Sequence, residues 1–289
     1  MIKSMTGFGS AEGMVGAAEV SVEIRSVNHR FFNPSIKLAS ELSKWEGEVR
    51  ETLRKGVARG HVTLMARIER RSTNAIRIDE EQFGAYLEQV RRLRDRFDLG
   101  EIDTAAILRM PNVVSGATDE IGGTPAELTA IVEKAVAALD HMRTSEGARL
   151  KTYLEDRLAI IERAVSRIDE RAPSRLVEQR DRLRASVQEL AAGIAVDEGR
   201  LAQEIAILAD RLDVAEEVSR FHSHFAAFRA ALNSPPPDGV GKRLGFLLQE
   251  LLREANTTGS KANDAAILQD VIAIKEELER IREQVENLE

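Results

Sequence analysis

The stretch Ile267–Leu288, ILQDVIAIKEELERIREQVENL, has the pattern that predicts the architecture of the chain most directly. Its apolar residues recur at alternating steps of four and three, at Ile267, Val271, Ile274, Leu278, Ile281, Val285 and Leu288. This is the a/d spacing of a heptad seam, and Glu and Arg flank it. The sequence therefore predicts a long final helix that packs along one face, either within the chain or between subunits.

Two segments before this helix carry closely spaced carboxylates beside bases and amides. They are Asp210–His224, DRLDVAEEVSRFHSH, and Arg243–Lys261, RLGFLLQELLREANTTGSK. Because residues three or four apart share a helix face, each segment gathers its polar residues into one stripe. The stripes are Asp213, Glu217, Arg220 and His224 in the first segment, and Glu250, Arg253, Glu254 and Thr257 in the second. Two facing stripes of this kind could hold a divalent metal ion between helices.

The residue types in the stripes suit metal-assisted hydrolysis of a phosphodiester. Mg²⁺ and Mn²⁺ prefer oxygen ligands, and one imidazole shifts the preference toward Mn²⁺. The predicted metal ligands are Asp213, Glu217, His224, Glu250 and Glu254. The predicted catalytic residues are Glu217, Arg220, Glu250, Arg253 and Lys261, and their three cations would hold the non-bridging phosphate oxygens. The alternative is that these carboxylates are solvated surface charge or interhelical salt bridges.

From about Pro125 onward the pattern is helical almost throughout. The apolar stripe of Leu150–Ile168 is predicted to break at Pro173, and a long amphipathic helix is predicted from Leu201 to Phe228. A loop is predicted at Ser234–Gly239, because three consecutive prolines cannot continue a helix.

The first 80 residues indicate strands combined with a helix. Val20–Ser26 and His61–Ile68 alternate with period two, which predicts half-buried strands, and a shorter strand is predicted over Phe31–Leu38. Apolar residues between Leu42 and Val57 recur at helical spacing. Further helices are predicted near residues 80–97 and 104–110.

These patterns together predict an α+β fold. We expect a small N-terminal sheet-plus-helix domain over residues 1–155 and a helical connector over residues 156–203. The remaining residues, 204–289, are expected to form a long-helix C-terminal region that contains the acidic stripes and ends in the heptad-patterned helix.

Charge is distributed unevenly along the chain. The net charge of −7 over 289 residues argues against a strongly basic nucleic-acid binder. Residues 1–72, however, carry 12 Lys and Arg against 8 Asp and Glu, a balance of +4, which leaves −7 − 4 = −11 for the remainder. A basic first part and an acidic second part can present a polyanion and metal ions to different surfaces.

Composition excludes several classes of protein. There is no cysteine, so disulfides, cysteine-ligated zinc and thiol catalysis are excluded. The start of the chain lacks the apolar core of a signal peptide, and no window approaches 18 apolar residues. We therefore expect a soluble, cytoplasmic protein that does not contact the membrane.

A second constellation lies in Glu23–Phe32, EIRSVNHRFF. Arginine contacts to phosphate and aromatic stacking on bases suit single-stranded RNA. The predicted RNA-binding residues are Arg25, Asn28, His29 and Arg30, with Arg59 and His61 as a weaker case. The alternative is that Phe31 and Phe32 belong to the core while the arginines cap a sheet edge. A His29/His61 pair acting in metal-free acid–base cleavage is a further option.

Four separated motifs give the chain a family resemblance. They are Met1–Gly9, Glu23–Phe31, Asp213–Glu217 with Arg220 and His224, and Gln249–Lys261. In order and content they resemble the YicC/YloC family from the first residue to the last. The resemblance implies a bacterial endoribonuclease that depends on a divalent metal such as Mn²⁺, acts on single-stranded RNA and assembles as a hexamer.

One position departs from the family pattern. Gly245 stands where the family favours an acidic residue in Arg-Leu-Asp-Phe. If that carboxylate contributes to metal binding, this chain lacks it. The rival interpretation of the whole chain is a non-catalytic oligomeric RNA-binding or adaptor protein, in which the heptad helix assembles a ring and the acidic stripes form salt bridges.

Overall fold

The structure is a computed structural model that describes residues 2–71, 76–98, 100–116, 122–193, 195–234 and 239–289. The chain divides into two compact units. One contains Phe8–Arg25 and His29–Leu139, and the other contains Met1–Gly7, Ser26–Asn28 and Asp140–Glu289. The first holds a small sheet and the second is built of long helices, so the predicted α+β fold is confirmed.

The sheet unit contains four strands in the order β1-β2-β4-β3. They are β1 Gly7–Val15, β2 Ala18–Val27, β3 Phe32–Leu38 and β4 Gly60–Arg71. Strands β3 and β4 are parallel, with Phe32 opposite Gly60 and Leu38 opposite Ala66. Because β3 lies at the edge of the sheet, it tolerates Pro34, which has no backbone N–H to donate. The three predicted strands are confirmed.

One face of this sheet forms the core of the unit. Alternate residues of β2 and β4 are buried, as the period-two pattern predicts. They pack against a 3₁₀ turn at Ser40–Trp45, helix α1 at Glu46–Gly56 and the first part of helix α4, which runs over Pro125–Leu190. At Gly9, β1 passes so close to α4 that a Cβ would lie 2.3 Å from the carbonyl oxygen of Ala135 and 2.4 Å from the amide nitrogen of Leu139.

A small segment follows β4 in the same unit. It contains β5 Ile76–Ile78, helix α2 Glu80–Phe97, helix α3 Thr104–Leu108 and β6 Val114–Gly116. Strands β5 and β6 are antiparallel. Asp79 caps α2 by accepting a hydrogen bond from the Gln82 amide at 2.9 Å.

The helical unit packs the rest of α4 against four further helices. They are α5 Glu198–Leu212, α6 Ala215–Asn233, α7 Val240–Ala262 and α8 Ala265–Val285. All seven residues of the heptad seam are buried in the core of this unit, at most 4% exposed. The long final helix is confirmed, and its seam packs within the chain, so it is not available to assemble a ring of subunits.

Helix α4 continues through Pro173, so the predicted break there is wrong. A proline inside a helix removes one hydrogen bond and costs about 3 kcal/mol. Here Ile168 before the proline and Arg175 after it are both buried, and their packing holds the chain helical on both sides. Most of the loop predicted at Ser234–Gly239 lies outside the described residues.

The motif at the start of the chain has a structural role in the helical unit. The backbone of Lys3 and Met5 exchanges hydrogen bonds with Glu289 and Asn287, at 2.8–3.1 Å. The buried guanidinium of Arg143 donates to the carbonyl of Ser4 and forms an ion pair with Glu289. Residues 3–5 therefore extend the helical unit by pairing with residues 287–289.

Asp264 ties α8 to α4 and gives a pH-dependent prediction. Its carboxylate accepts from the Ile267 amide at 3.0 Å, as an N-cap, and pairs with Arg171 at 2.9 Å. Burial alone would raise the pKa of Asp264, but these hydrogen bonds outweigh it and hold the pKa below its ordinary value. The stabilisation is therefore present above about pH 4 and is lost as the pH falls through the lowered pKa.

Replacing Asp264 by Asn should lower the free energy of unfolding by about 1 kcal/mol at pH 7, because asparagine can still cap the helix but loses the charge that pairs with Arg171. The difference from wild type should narrow only below about pH 4, where the wild-type carboxylate is protonated as well. Urea unfolding between pH 7 and pH 3 measures this. The exposed Asp156→Asn is the matched control and should change little. A difference that stays constant down to pH 3 would contradict the assignment.

Candidate functional site

The centre of the candidate site is a buried ion pair between α6 and α7. Glu217 on α6 is 3% exposed, and its Oε1 accepts a hydrogen bond from the Lys261 ammonium on α7 at 2.8 Å. Among the described residues, Glu217 Oε2 is buried without a hydrogen-bond partner, and so is Thr258 Oγ1, one turn before Lys261 on α7. Buried polar atoms are nearly always satisfied, so these two atoms on α6 and α7 are positions where a water, ion or substrate atom can bind.

A second buried carboxylate belongs to the same interface. Glu254 on α7 is 3% exposed, and Arg220 Nη1 on α6 lies 3.6 Å from its Oε1. This is an ion pair at a distance longer than a hydrogen bond. Arg220 also forms an ion pair with Glu216, one turn earlier on its own helix.

The two pairs show that α6 and α7 run antiparallel. Advancing along α6 from Glu217 to Arg220 moves the contact back along α7 from Lys261 to Glu254. Carboxylates and cations therefore alternate across one interface, which brings together Glu217, Arg220, Glu254 and Lys261 of the predicted site residues. Glu217, Arg220 and Glu254 belong to the predicted stripes, Lys261 was predicted as a catalytic cation, and the packing of α6 on α7 brings them together.

The remaining predicted site residues on these helices are more exposed. Glu250 lies one turn before Glu254, and His224 lies one turn after Arg220; both are partly exposed. Arg253 on α7 is exposed. These three residues continue the two polar stripes from the buried interface toward solvent.

Asp213 does not lie on the α6 stripe, because the long helix predicted from Leu201 to Phe228 is wrong. The chain leaves the helical conformation at Asp213 and Val214, between α5 and α6. Asp213 Oδ1 accepts from the Ala215 amide at 2.9 Å, which satisfies an N–H at the start of α6. Aspartate competes in this way with the helical backbone, and it interrupts the helix here. The carboxylate is exposed beside a cavity of about 510 Å³ lined also by Pro173, Asp210 and Val214.

The predicted ligands do not form a complete metal centre within one chain. In the parts of the chain that the structure describes, no three His, Asp or Glu side chains are close enough together to hold a metal ion. Glu217 and Glu254 are the two predicted ligands that are buried at a common interface, and each already faces one cation.

Arg175 on α4 supports the site and was not predicted from the sequence. The residue is 1% exposed, and its guanidinium donates to the carbonyl of Ala262 at 2.7 Å and to the carbonyl of Leu212. These carbonyls end α7 and α5, where helices leave acceptors unsatisfied. Burial lowers the pKa of Arg175. Arg175 thereby fixes the ends of the two helices next to Lys261 and Asp213. An arginine after a proline in an amphipathic helix gives no sequence signal for this role.

The predicted RNA-binding residues lie around the end of the sheet. Arg25 on β2 is exposed, and its guanidinium lies 5.6 Å from the centre of the Phe8 ring. Arg30 lies 5.2 Å from the centre of the Phe31 ring. Phe31 is 65% exposed, so it does not belong to the core, whereas Phe32 is partly buried against it.

The other predicted RNA-binding residues differ in their contacts with the rest of the chain. The Asn28 amide donates to the carbonyl of Glu286 at 2.6 Å, so it has a structural partner. His29 Nδ1 lies 2.9 Å from the carbonyl oxygen of Phe31, beside the start of β3. Arg59 precedes β4, and His61 is the second residue of that strand, opposite Asn33. His29, Arg59 and His61 therefore lie toward the same end of the parallel pair β3–β4.

Comparison with known proteins gives full-length matches. Residues 2–152 match the family described as Endoribonuclease YicC-like, N-terminal region, and residues 168–289 match Endoribonuclease YicC-like, C-terminal. A relative in Clostridioides difficile (strain 630) named Probable endoribonuclease YicC is 31% identical over 295 residues and covers 100% of both chains. A relative of the same name in Haemophilus influenzae is 31% identical over 291 residues, again over 100% of both chains.

Proposed function

The chain belongs to the YicC-like endoribonuclease family, and we propose that it hydrolyses phosphodiester bonds in single-stranded RNA at the α6–α7 interface. One observation carries the location: Glu217 is buried with Oε1 held by Lys261 and with Oε2 free of any partner among the described residues. An oxygen without a protein partner is free to contact a ligand, which an oxygen of a fully paired salt bridge is not.

The cations of the interface supply contacts for the phosphate. Arg220 and Lys261 are partly exposed, with side-chain exposures of 49% and 30%, so each can reach a substrate while staying beside a buried carboxylate. Arg253 adds an exposed guanidinium on α7. Positive groups fixed beside the reacting phosphate stabilise the negative charge that develops on its oxygens.

A divalent metal ion, Mn²⁺ or Mg²⁺, is part of the proposal. The unsatisfied Glu217 Oε2 and the buried Glu254 fit such an ion, because it is commonly held by one or two carboxylates with water and substrate phosphate in the other positions. Asp213, His224 and Glu250 remain candidate ligands. When bound, the ion would lower the pKa of a water molecule and neutralise phosphate charge.

The exposed end of the sheet is the proposed RNA surface. Arg25, Arg30 and Arg59 would contact phosphates, and the exposed Phe31 ring would stack on a base. His29 and His61 provide further polar contacts. The Asn28 amide is already bonded to Glu286, so its predicted contact with RNA would require breaking that hydrogen bond.

The proposal also covers assembly and location. Family resemblance supports a homo-oligomer, a hexamer, and a cytoplasmic location. None of the described helices is both long and apolar enough to cross a membrane.

The test is cleavage of a labelled single-stranded RNA by the purified protein with Mn²⁺, with Mg²⁺ or with chelator. We expect cleavage with metal, no cleavage with chelator, and a loss of at least about 100-fold in Glu217→Gln, since a buried group at the reacting phosphate is worth several kcal/mol. Glu276→Gln, the same change at an exposed position on α8, is the control and should cleave like wild type.

The other outcomes identify the alternatives. Binding of RNA without cleavage in any metal would contradict the proposal and favour the non-catalytic adaptor. Cleavage that persists in chelator but is lost in His29→Ala would favour metal-free acid–base chemistry at the sheet. Cleavage that is unchanged in Glu217→Gln would place the active site elsewhere.

A further inference from the structure

Helix α2 is amphipathic but contributes nothing to the core. Not one of its 18 residues is buried. Its apolar side chains recur at helical spacing and form a single stripe: Phe83, Tyr86, Leu87, Val90, Leu93 and Phe97. At the C-terminal end of the stripe, Leu93 is 49% exposed and Phe97 is 60% exposed. The other four residues are partly buried, so the chain covers part of the stripe and leaves the rest open as an interaction surface.

The segment around α2 has little core of its own. Among the described residues from Ile78 to Val114, only Ile107 and Val113 are buried. Ile78 and Val114, which pair across the β5–β6 ladder, are 49% and 44% exposed. So small a core does not usually keep a helix and a two-stranded sheet folded, and a partner that covers the stripe would complete it.

Charge is divided between the two halves of α2. The first nine residues, Glu80–Glu88, contain three Glu and no Lys or Arg, which gives −3. The last nine, Gln89–Phe97, contain four Arg and one Asp, which gives 4 − 1 = +3. The two halves are therefore complementary to each other when a second copy of the helix lies antiparallel to the first.

We infer that α2 is a self-association surface on which α2 of one copy of the chain packs antiparallel on α2 of a second copy. A twofold axis pairs the same patch on both copies. With Phe83 opposite Phe97 of the second copy, the midpoint of the stripe is Val90, so the axis passes beside Val90. Each acidic half then lies along the basic half of the other helix.

The same charge pattern argues against other occupants. RNA and anionic lipid both carry dense negative charge, and the acidic half of α2 would repel either along half of the stripe. A second copy satisfies both halves at once. This inference specifies a surface for the self-association proposed above and does not depend on the reaction that the protein catalyses.

The first test is the mass of the full chain in solution by light scattering. Leu93→Glu places a charge in the stripe and is expected to reduce the mass of the wild-type oligomer to half or less. Ala85→Glu, on the opposite face of the same helix, should leave the mass unchanged. Circular dichroism confirms that both variants are folded. A monomeric wild-type chain, or a Leu93→Glu variant of unchanged mass, overturns the inference.

The second test checks the antiparallel geometry. Because the chain contains no cysteine, a single Val90→Cys variant has one thiol, and oxidation should link it into a covalent dimer through the twofold axis. Ala85→Cys should give several-fold less dimer under the same conditions. If Val90→Cys does not exceed this control, α2 does not pair about Val90, and the inference fails even where Leu93→Glu lowers the mass.

Discussion

The Lys261→Met variant is expected to lose about 2–3 kcal/mol of unfolding free energy. Methionine fills similar space but leaves the Glu217 carboxylate, whose side chain is 4% exposed, without its cation. Removing one partner of a buried ion pair typically costs about 3–5 kcal/mol. We take a smaller figure because the Lys261 side chain keeps 30% of its surface exposed. Denaturant unfolding measures the loss.

The double variant Glu217→Gln with Lys261→Met separates the charge effect from packing. It removes both charges, so most of the lost stability should return, since neutral replacement of a buried ion pair is often close to neutral in energy. A double variant as unstable as Lys261→Met alone would show that the instability comes from packing and not from an unpaired carboxylate.

Cleavage activity in the same variants distinguishes a structural salt bridge from a functional site. If Glu217 and Lys261 act on RNA, the double variant regains stability but stays inactive. If they serve only to hold α6 on α7, the double variant regains cleavage together with stability. The second result would contradict the proposed location of the active site.

The second large effect is expected at Gly9. Gly9→Ala would place a Cβ 2.3 Å from the carbonyl oxygen of Ala135 and 2.4 Å from the amide nitrogen of Leu139. Both neighbours are backbone atoms of α4, so β1 and the helix must move apart. Overpacking usually costs about 1–3 kcal/mol, and we expect a loss of about 3 kcal/mol or more because no flexible side chain can yield.

Gly245→Ala is the matched control for this effect. Gly245 lies inside α7, and apart from the adjacent residues and backbone of that helix, a Cβ there would meet no atom of the described residues within 4 Å. Alanine is favoured over glycine inside a helix by about 1 kcal/mol, so this variant should gain stability. Both are measured by denaturant unfolding, and a Gly9→Ala variant as stable as wild type would contradict the close approach of β1 to α4.

The motif at the start of the chain could be recognised from the sequence, but its structural role could not. Met1–Gly9 contributes to the family resemblance, but the sequence does not reveal why. In the structure, residues 3–5 pair with residues 287–289, and Gly9 permits the contact with α4. Both reasons are contacts between residues far apart in sequence, so no local pattern could predict them.

The ends of the helices also depend on contacts that apolar periodicity does not predict. Periodicity predicted the helices on both sides of Asp213, but not the interruption, because one aspartate that caps the next helix hardly changes the apolar spacing. The proline at position 173 predicted a break in the helix, but its buried neighbours keep α4 continuous there. Local preference decides such positions only where tertiary packing does not override it.

The α+β class, the alternating strands and the buried seam of α8 can be read from the amino-acid sequence, because side-chain periodicity is a local property that sets which face of an element turns inward. Which polar residues meet depends on the packing of the helices. Glu217 and Lys261 lie 44 residues apart, and Arg175 reaches the ends of two other helices. Their contacts depend on how the helices pack together. The same packing buries Glu217 and Thr258 between α6 and α7, where each keeps an oxygen without a hydrogen-bond partner among the described residues.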